Sequence, residues 1–166
     1  MLNWVRILIL SIQFGVVMSE KPAQAVFAIE KLYVKDLSVE VPNAPQIFLE
    51  RNAPEIGVQL TTQSSPVSEG VYETIIKVTV TAKIGESVMF LVEAAQAGIF
   101  RIEQVPEDQL EAVLGIGCPN IVFPYLRETV SDVVSRAGFP PVLLNPVNFE
   151  GLYLQQQAAS GSATSH

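Results

Sequence analysis

Apolar residues recur at steps of four, four, three and four through Val122, Leu126, Val130, Val133 and Ala137, while Arg127, Glu128, Ser131, Asp132 and Ser135 fall on the other side. This spacing predicts one amphipathic helix from about Cys118 to Gly138. Pro119 and Pro124 lie near its start, where amides have no intrahelical acceptor, and Gly138 followed by Phe139, Pro140 and Pro141 is a stop signal. Asp132 and Arg136 attract along the helix and Glu128 and Asp132 repel, so packing rather than surface charge must hold it. The partner it needs is a sheet, because most of the chain upstream has a period of two.

From Val26 to Val41, Leu37, Val39 and Val41 alternate with Asp36, Ser38 and Glu40, and the parity slips near Lys31 as one bulge residue would cause. Pro42 to Pro45 ends this strand. Gln46 to Pro54 reads as a loop whose Ile47, Phe48 and Leu49 either fold back on the core or line a site. Ile56, Val58 and Leu60 form a short second strand, with loop signals at Gln63 to Pro66 and at Glu69 and Gly70. Val71 to Ile84 is the strongest strand signal, and Gly85 and Glu86 turn it into Val88 to Gln96. Val88 to Val92 is apolar on both parities, which predicts that one of its faces meets another chain or a ligand.

Residues 104–115 suggest a short helix, with Gly115 to Gly117 as a turn into the main one. Val142 to Val147 is an extended crossing, and Asn148 caps a final helix with Phe149, Leu152, Tyr153 and Leu154. Residues 155–166 are polar and are expected to be a disordered tail. The whole reads as an α+β domain over residues 26–154, a four-stranded antiparallel sheet with helices packed on one face.

With 166 residues, 49% hydrophobic and 16% charged, the chain suits one globular domain. Seventeen acidic against 10 basic side chains give a formal charge of −7 with no Lys/Arg cluster, which disfavours a nucleic-acid partner and suits a basic protein one. Residues 1–17 are apolar, with Arg6 as their one charge, and look like a targeting segment too short to span a bilayer, so no direct membrane insertion is expected. Ala23-Gln24-Ala25 has the form of a secretory cleavage site, which would make the chain an exported carrier. Met18-Ser19-Glu20 resembles a cytosolic start, and the preferred reading is that residues 1–17, with Trp4, precede the working protein.

The single histidine is His166, in the expected tail, and the single cysteine is Cys118. Catalytic triads, Cys/His pairs, histidine-based metal sites and thiolate zinc sites all need more than this. No cofactor, no metal and no enzymatic activity are expected. A thiol enzyme built on Cys118 is the rival, but beside Pro119 this residue reads as a buried small hydrophobe.

Cys118-Pro-Asn-Ile-Val-Phe-Pro-Tyr-Leu-Arg-Glu128, the Val-Ser-Arg-Ala-Gly-Phe-Pro run ending at Pro140, Pro146-Val-Asn-Phe149, Val41-Pro-Asn-Ala-Pro45 and Val78-Thr-Val-Thr-Ala82 together resemble the SecB family of protein-export chaperones, in order and over about Phe27 to Gln157. The resemblance implies a cytoplasmic holdase, a homotetramer built as a dimer of dimers, which keeps unfolded secretory precursors translocation-competent and delivers them to the SecA motor. It places SecA contacts at Asp36, Glu40, Leu91 and Glu93. It places a client groove at Phe48, Ile56, Val58, Leu60, Phe90 and Tyr153. The zinc of that system belongs to the basic tail of SecA. One departure is Asn52, where the family often has tryptophan.

Overall fold

The computed structural model describes residues 24–163, so the expectations for residues 1–17 lie outside the described residues. Four strands, β1 (Val26–Glu40), β2 (Glu55–Ser68), β3 (Val71–Ile84) and β4 (Ser87–Glu103), form one antiparallel sheet in the order β1-β4-β3-β2. Between β1 and β2 the chain passes from one edge of the sheet to the other through a 3-10 turn, Gln46–Leu49, whose Ile47 is buried. The loop that was too apolar for a loop is thus pinned to the core by that one side chain. The helices follow: α1 (Glu107–Ala112), a π turn (Val113–Gly117), α2 (Cys118–Arg136) and α3 (Phe149–Ala163).

β1 contains two bulges. Its pairing with β4 skips a residue between Ile29 and Lys31, near the expected slip, and again between Val34 and Asp36. Each extra residue, Glu30 and Lys35, is charged, and each ends in an ion pair, with Arg101 at 2.7 Å and Glu73 at 2.8 Å respectively. Because the bulges absorb the parity slips, Phe27, Ile29, Leu32, Val34, Leu37 and Val39 all stand opposite β4 residues of the helix-bearing side. α2 covers β3 and β4, so most of this stripe on β1 remains exposed.

α2 presents Val122, Leu126, Val130, Val133 and Val134 to Ile76, Val78, Val80, Val92 and Phe100, and this is the core. The one buried amide among them, Gln96, accepts from the hydroxyl of Thr129 on α2 at 3.2 Å. Gly138 ends the helix with φ +94°, a conformation that favours glycine, and the amide of Phe139 returns to the carbonyl of Val134.

Three expectations are corrected. β2 does not stop at Leu60 but runs to Ser68, since an edge strand needs only one ladder and tolerates Pro66, which stands opposite Tyr72. Gly115 to Gly117 is not a turn between helices, because the π turn joins α1 to α2 without a break. Pro119 has no amide to meet the carbonyl of Leu114 five residues back, and the hydroxyl of Ser64 on β2 donates to that carbonyl instead, at 3.2 Å. Finally, α3 is capped by Asn148, whose side-chain oxygen accepts from the amide of Gly151 at 3.0 Å, and it continues through the expected tail to Ala163. Its Gln and Ala residues are good helix formers although they bring no core.

Candidate functional site: an apolar groove and an acidic sheet face

The helix-bearing side of β2 is not covered by α2. Ile56, Val58 and Leu60 stand there opposite Ala82, Val80 and Val78, and they form one wall of a groove of about 830 Å³. The facing wall is the crossing segment from Phe139 to Val147, and Met89, Phe90 and Phe123 also line it. None of the lining residues is charged. Pro140, Pro141 and Pro146 keep the crossing from joining the sheet as a strand, so the space beside β2 stays open. Such a groove can take an extended apolar segment and gives an ion nothing to pair with.

Four of the six expected groove residues, Ile56, Val58, Leu60 and Phe90, line this space. Phe48 stands just outside and stacks on Phe139 with ring centroids 5.1 Å apart, and Phe139 in turn meets Phe90 at 5.0 Å. The three rings make one row leading out of the groove. Tyr153 is not brought to it: its ring lies against Gly115, where an added Cβ would sit 2.5 Å from a ring carbon. Met89 and Phe123 were missed. Met89 falls where the β3–β4 pairing skips a residue, which turns it to the groove. Phe123 follows buried Val122 on α2, meets Phe149 edge-on at 5.7 Å and carries the guanidinium of Arg127 at 5.1 Å.

The two-sided run Val88 to Val92 has an account within the chain. Phe90 and Val92 are buried beneath α2, Met89 reaches the groove, and Leu91 faces the opposite side of the sheet.

Among the described residues no helix lies on that opposite side. There Ser38 pairs with Glu93, Glu40 with Leu91 and Asp36 with Ala95, so the four residues expected at the SecA contact are neighbours on one face. Lys35, Asp36, Lys77 and Glu93 surround a shallow depression of about 460 Å³. Beside it Tyr33 packs on Ile75, Ala95 and Ala97 and donates its hydroxyl to Glu73, which also holds Lys35. The lysine's hydrogen bond, then the tyrosine's, lowers the Glu73 pKa below its ordinary value. The same carboxylate raises that of Tyr33 to about 12.

Burial pushes the Cys118 thiol up to about 12, against a smaller opposing effect of Thr74, so it stays protonated at neutral pH. Cys118 is the buried small hydrophobe expected from its place beside Pro119. Among the described residues no group of three or more His, Cys, Asp and Glu could hold a metal, and no helix is long and apolar enough to cross a membrane.

The family model for the preprotein translocase subunit SecB matches residues 20–160. The chain belongs to the SecB family. The protein-export protein SecB of Thiobacillus denitrificans is 66% identical over 147 residues, covering 86% of this chain and 97% of the relative. That of Dechloromonas aromatica is 64% identical over 137 residues, covering 82% and 90%. A solved structure of a SecB-like chaperone from Mycobacterium tuberculosis, in complex with a peptide of the HigA1 antitoxin, has the same fold. Its TM-score is 0.61 at 16% identity, covering 74% of this chain and 91% of that one. Membership in SecB makes this chain a protein-export chaperone, and its four-stranded antiparallel sheet with helices is the fold that was expected.

Proposed function

We propose that the chain is a holdase that takes apolar segments of unfolded secretory precursors into the groove beside β2 in the cytoplasm and passes them to SecA. The carrying observation is a groove of about 830 Å³ with no charged lining residue, in a chain that otherwise has a formal charge of −7. An unfolded precursor exposes apolar stretches that a folded protein hides, and burying them contributes roughly 25 cal/mol per Å². Recognition by burial needs no particular client sequence. The relative solved with an antitoxin peptide supports a peptide-sized occupant.

SecA would dock on the opposite side of the sheet, at Asp36, Glu40, Leu91 and Glu93. Three carboxylates around one apolar residue suit a basic tail, and the separation of the two faces lets client and motor be bound together. The exposed stripe Phe27, Ile29, Val34, Leu37 and Val39 supports assembly into a homotetramer, a dimer of dimers, since a stripe of this kind on a lone chain would invite association. No cofactor, metal or catalytic step enters this reading, and neither nucleic acid nor membrane insertion does. The test is aggregation of an unfolded precursor, followed by light scattering with and without the chain. Suppression at near-stoichiometric ratio, with release when SecA and ATP are added, is expected. Aggregation that proceeds unchanged overturns the reading.

A further inference from the structure

The second bulge of β1 sets Lys35 and Asp36 side by side on the rim of the same depression. A lysine next to an aspartate on an exposed face would ordinarily cancel it. Here the Lys35 ammonium stands 2.8 Å from both carboxylate oxygens of Glu73, on β3, with β4 between. The reach crosses β4 past the small side chains of Ala95 and Ala97, and Tyr33 packs against them to hold the same carboxylate.

We propose that Glu73, braced by Tyr33, is a positioning residue that sequesters Lys35 and so keeps the acidic face negative toward a basic partner. The charges around the depression decide the matter. Asp36 and Glu93 face Lys77, which leaves one net negative charge while Lys35 is engaged and none once it is free. Glu73 is itself mostly buried, so its own charge is spent on Lys35 rather than shown to a partner. The inference rests on SecA docking at this face and names what keeps that face selective.

The experiment uses the full chain and purified SecA, with affinity measured at low and high salt. Glu73→Gln keeps the shape and the acceptor for Tyr33 but frees Lys35, and it is expected to weaken binding about 3- to 10-fold at low salt, as loss of one charge at an electrostatic interface does. The difference should vanish near 1 M salt, where the screening length is about 3 Å. Lys35→Gln should bind at least as well as the parent, and the double variant should recover parental affinity. A purely structural role for Glu73 would leave the double variant as weak as the single, and that result overturns the proposal. Glu73→Asp, which keeps the charge, covers the case in which Glu73→Gln folds poorly: it should stay at parental affinity, and a 3-fold or greater loss counts against sequestration. Asp36→Lys separates the two readings. If it has no effect, docking at this face is wrong and sequestration falls with it; if it weakens binding while Glu73→Gln does not, sequestration alone is wrong.

Discussion

Thr74 and Ser64 share a hydrogen bond of 2.8 Å between β3 and β2, at the head of a chain that ends on the backbone of the π turn. Each hydroxyl has one proton, and Ser64 gives its proton to the carbonyl of Leu114. Thr74, 2.8 Å from Ser64, must therefore donate to it. Thr74→Val removes the head of this chain from a fully buried position, at a cost of about 0.5–1.5 kcal/mol, since the exposed Ser64 left behind can turn to water. Urea denaturation checks it, and Thr74→Ser, which keeps the hydroxyl, should lose less.

Stability should be flat from mildly acidic pH to about pH 9 and fall on both sides. Cys118 and Tyr33 have raised values, about 12 in the fold against 9.0 and 10.0, so between those limits the folded chain binds more protons than the unfolded one. Their contribution is present below pH 9 and is lost as pH rises toward 12. Glu73 has a lowered value, so its contribution is present above its ordinary 4.5 and is lost as pH falls below that. Thermal melts across pH would show the alkaline decline, and Tyr33→Phe and Cys118→Ala should each shrink it.

Groove residues should divide by burial. Val58 is 49% exposed on an edge strand, so Val58→Lys should cost under about 0.5 kcal/mol of stability while lowering the affinity for unfolded clients several-fold. Phe90 is 2% exposed, and Phe90→Ala should cost about 3–5 kcal/mol, which disables the chain by unfolding it. Denaturation together with a client-binding titration tells these apart.

Assembly should depend on β1 rather than on β4. Val92 is fully buried beneath α2, so Val92→Lys should unfold the chain instead of dissociating it. Leu37→Lys with Val39→Lys alters the exposed stripe and should yield folded smaller species by light scattering.

Repeating patterns made β3 and α2 legible in the sequence, but β4 was read only from Val88 to Gln96 and runs on to Glu103, where Ala97 and Gly98 give no strand signal. Val78 and Val80 alternate with Lys77 and Thr79, and the buried positions of α2 fall at helical spacing. The far half of β2 was not legible, since Gln63-Ser64-Ser65-Pro66 has loop composition and becomes strand because β3 supplies its ladder. At the groove, Ile56, Val58 and Leu60 show their alternation, but Phe123 looks like any core residue until the crossing segment opens beside it. Lys35 and Glu73 lie 38 residues apart, and no local pattern pairs them.

β1 uses 15 residues, Val26 to Glu40, to match the 13 of β4 from Leu91 to Glu103. Its sequence therefore contains two positions, 30 and 35, that can be deleted without turning any other side chain over. Removing Glu30 or Lys35 would straighten the ribbon and lose one ion pair, whereas removing Leu32 would put its neighbours on the wrong surface. The strand is thus tolerant of shortening at two chosen letters and intolerant everywhere between them.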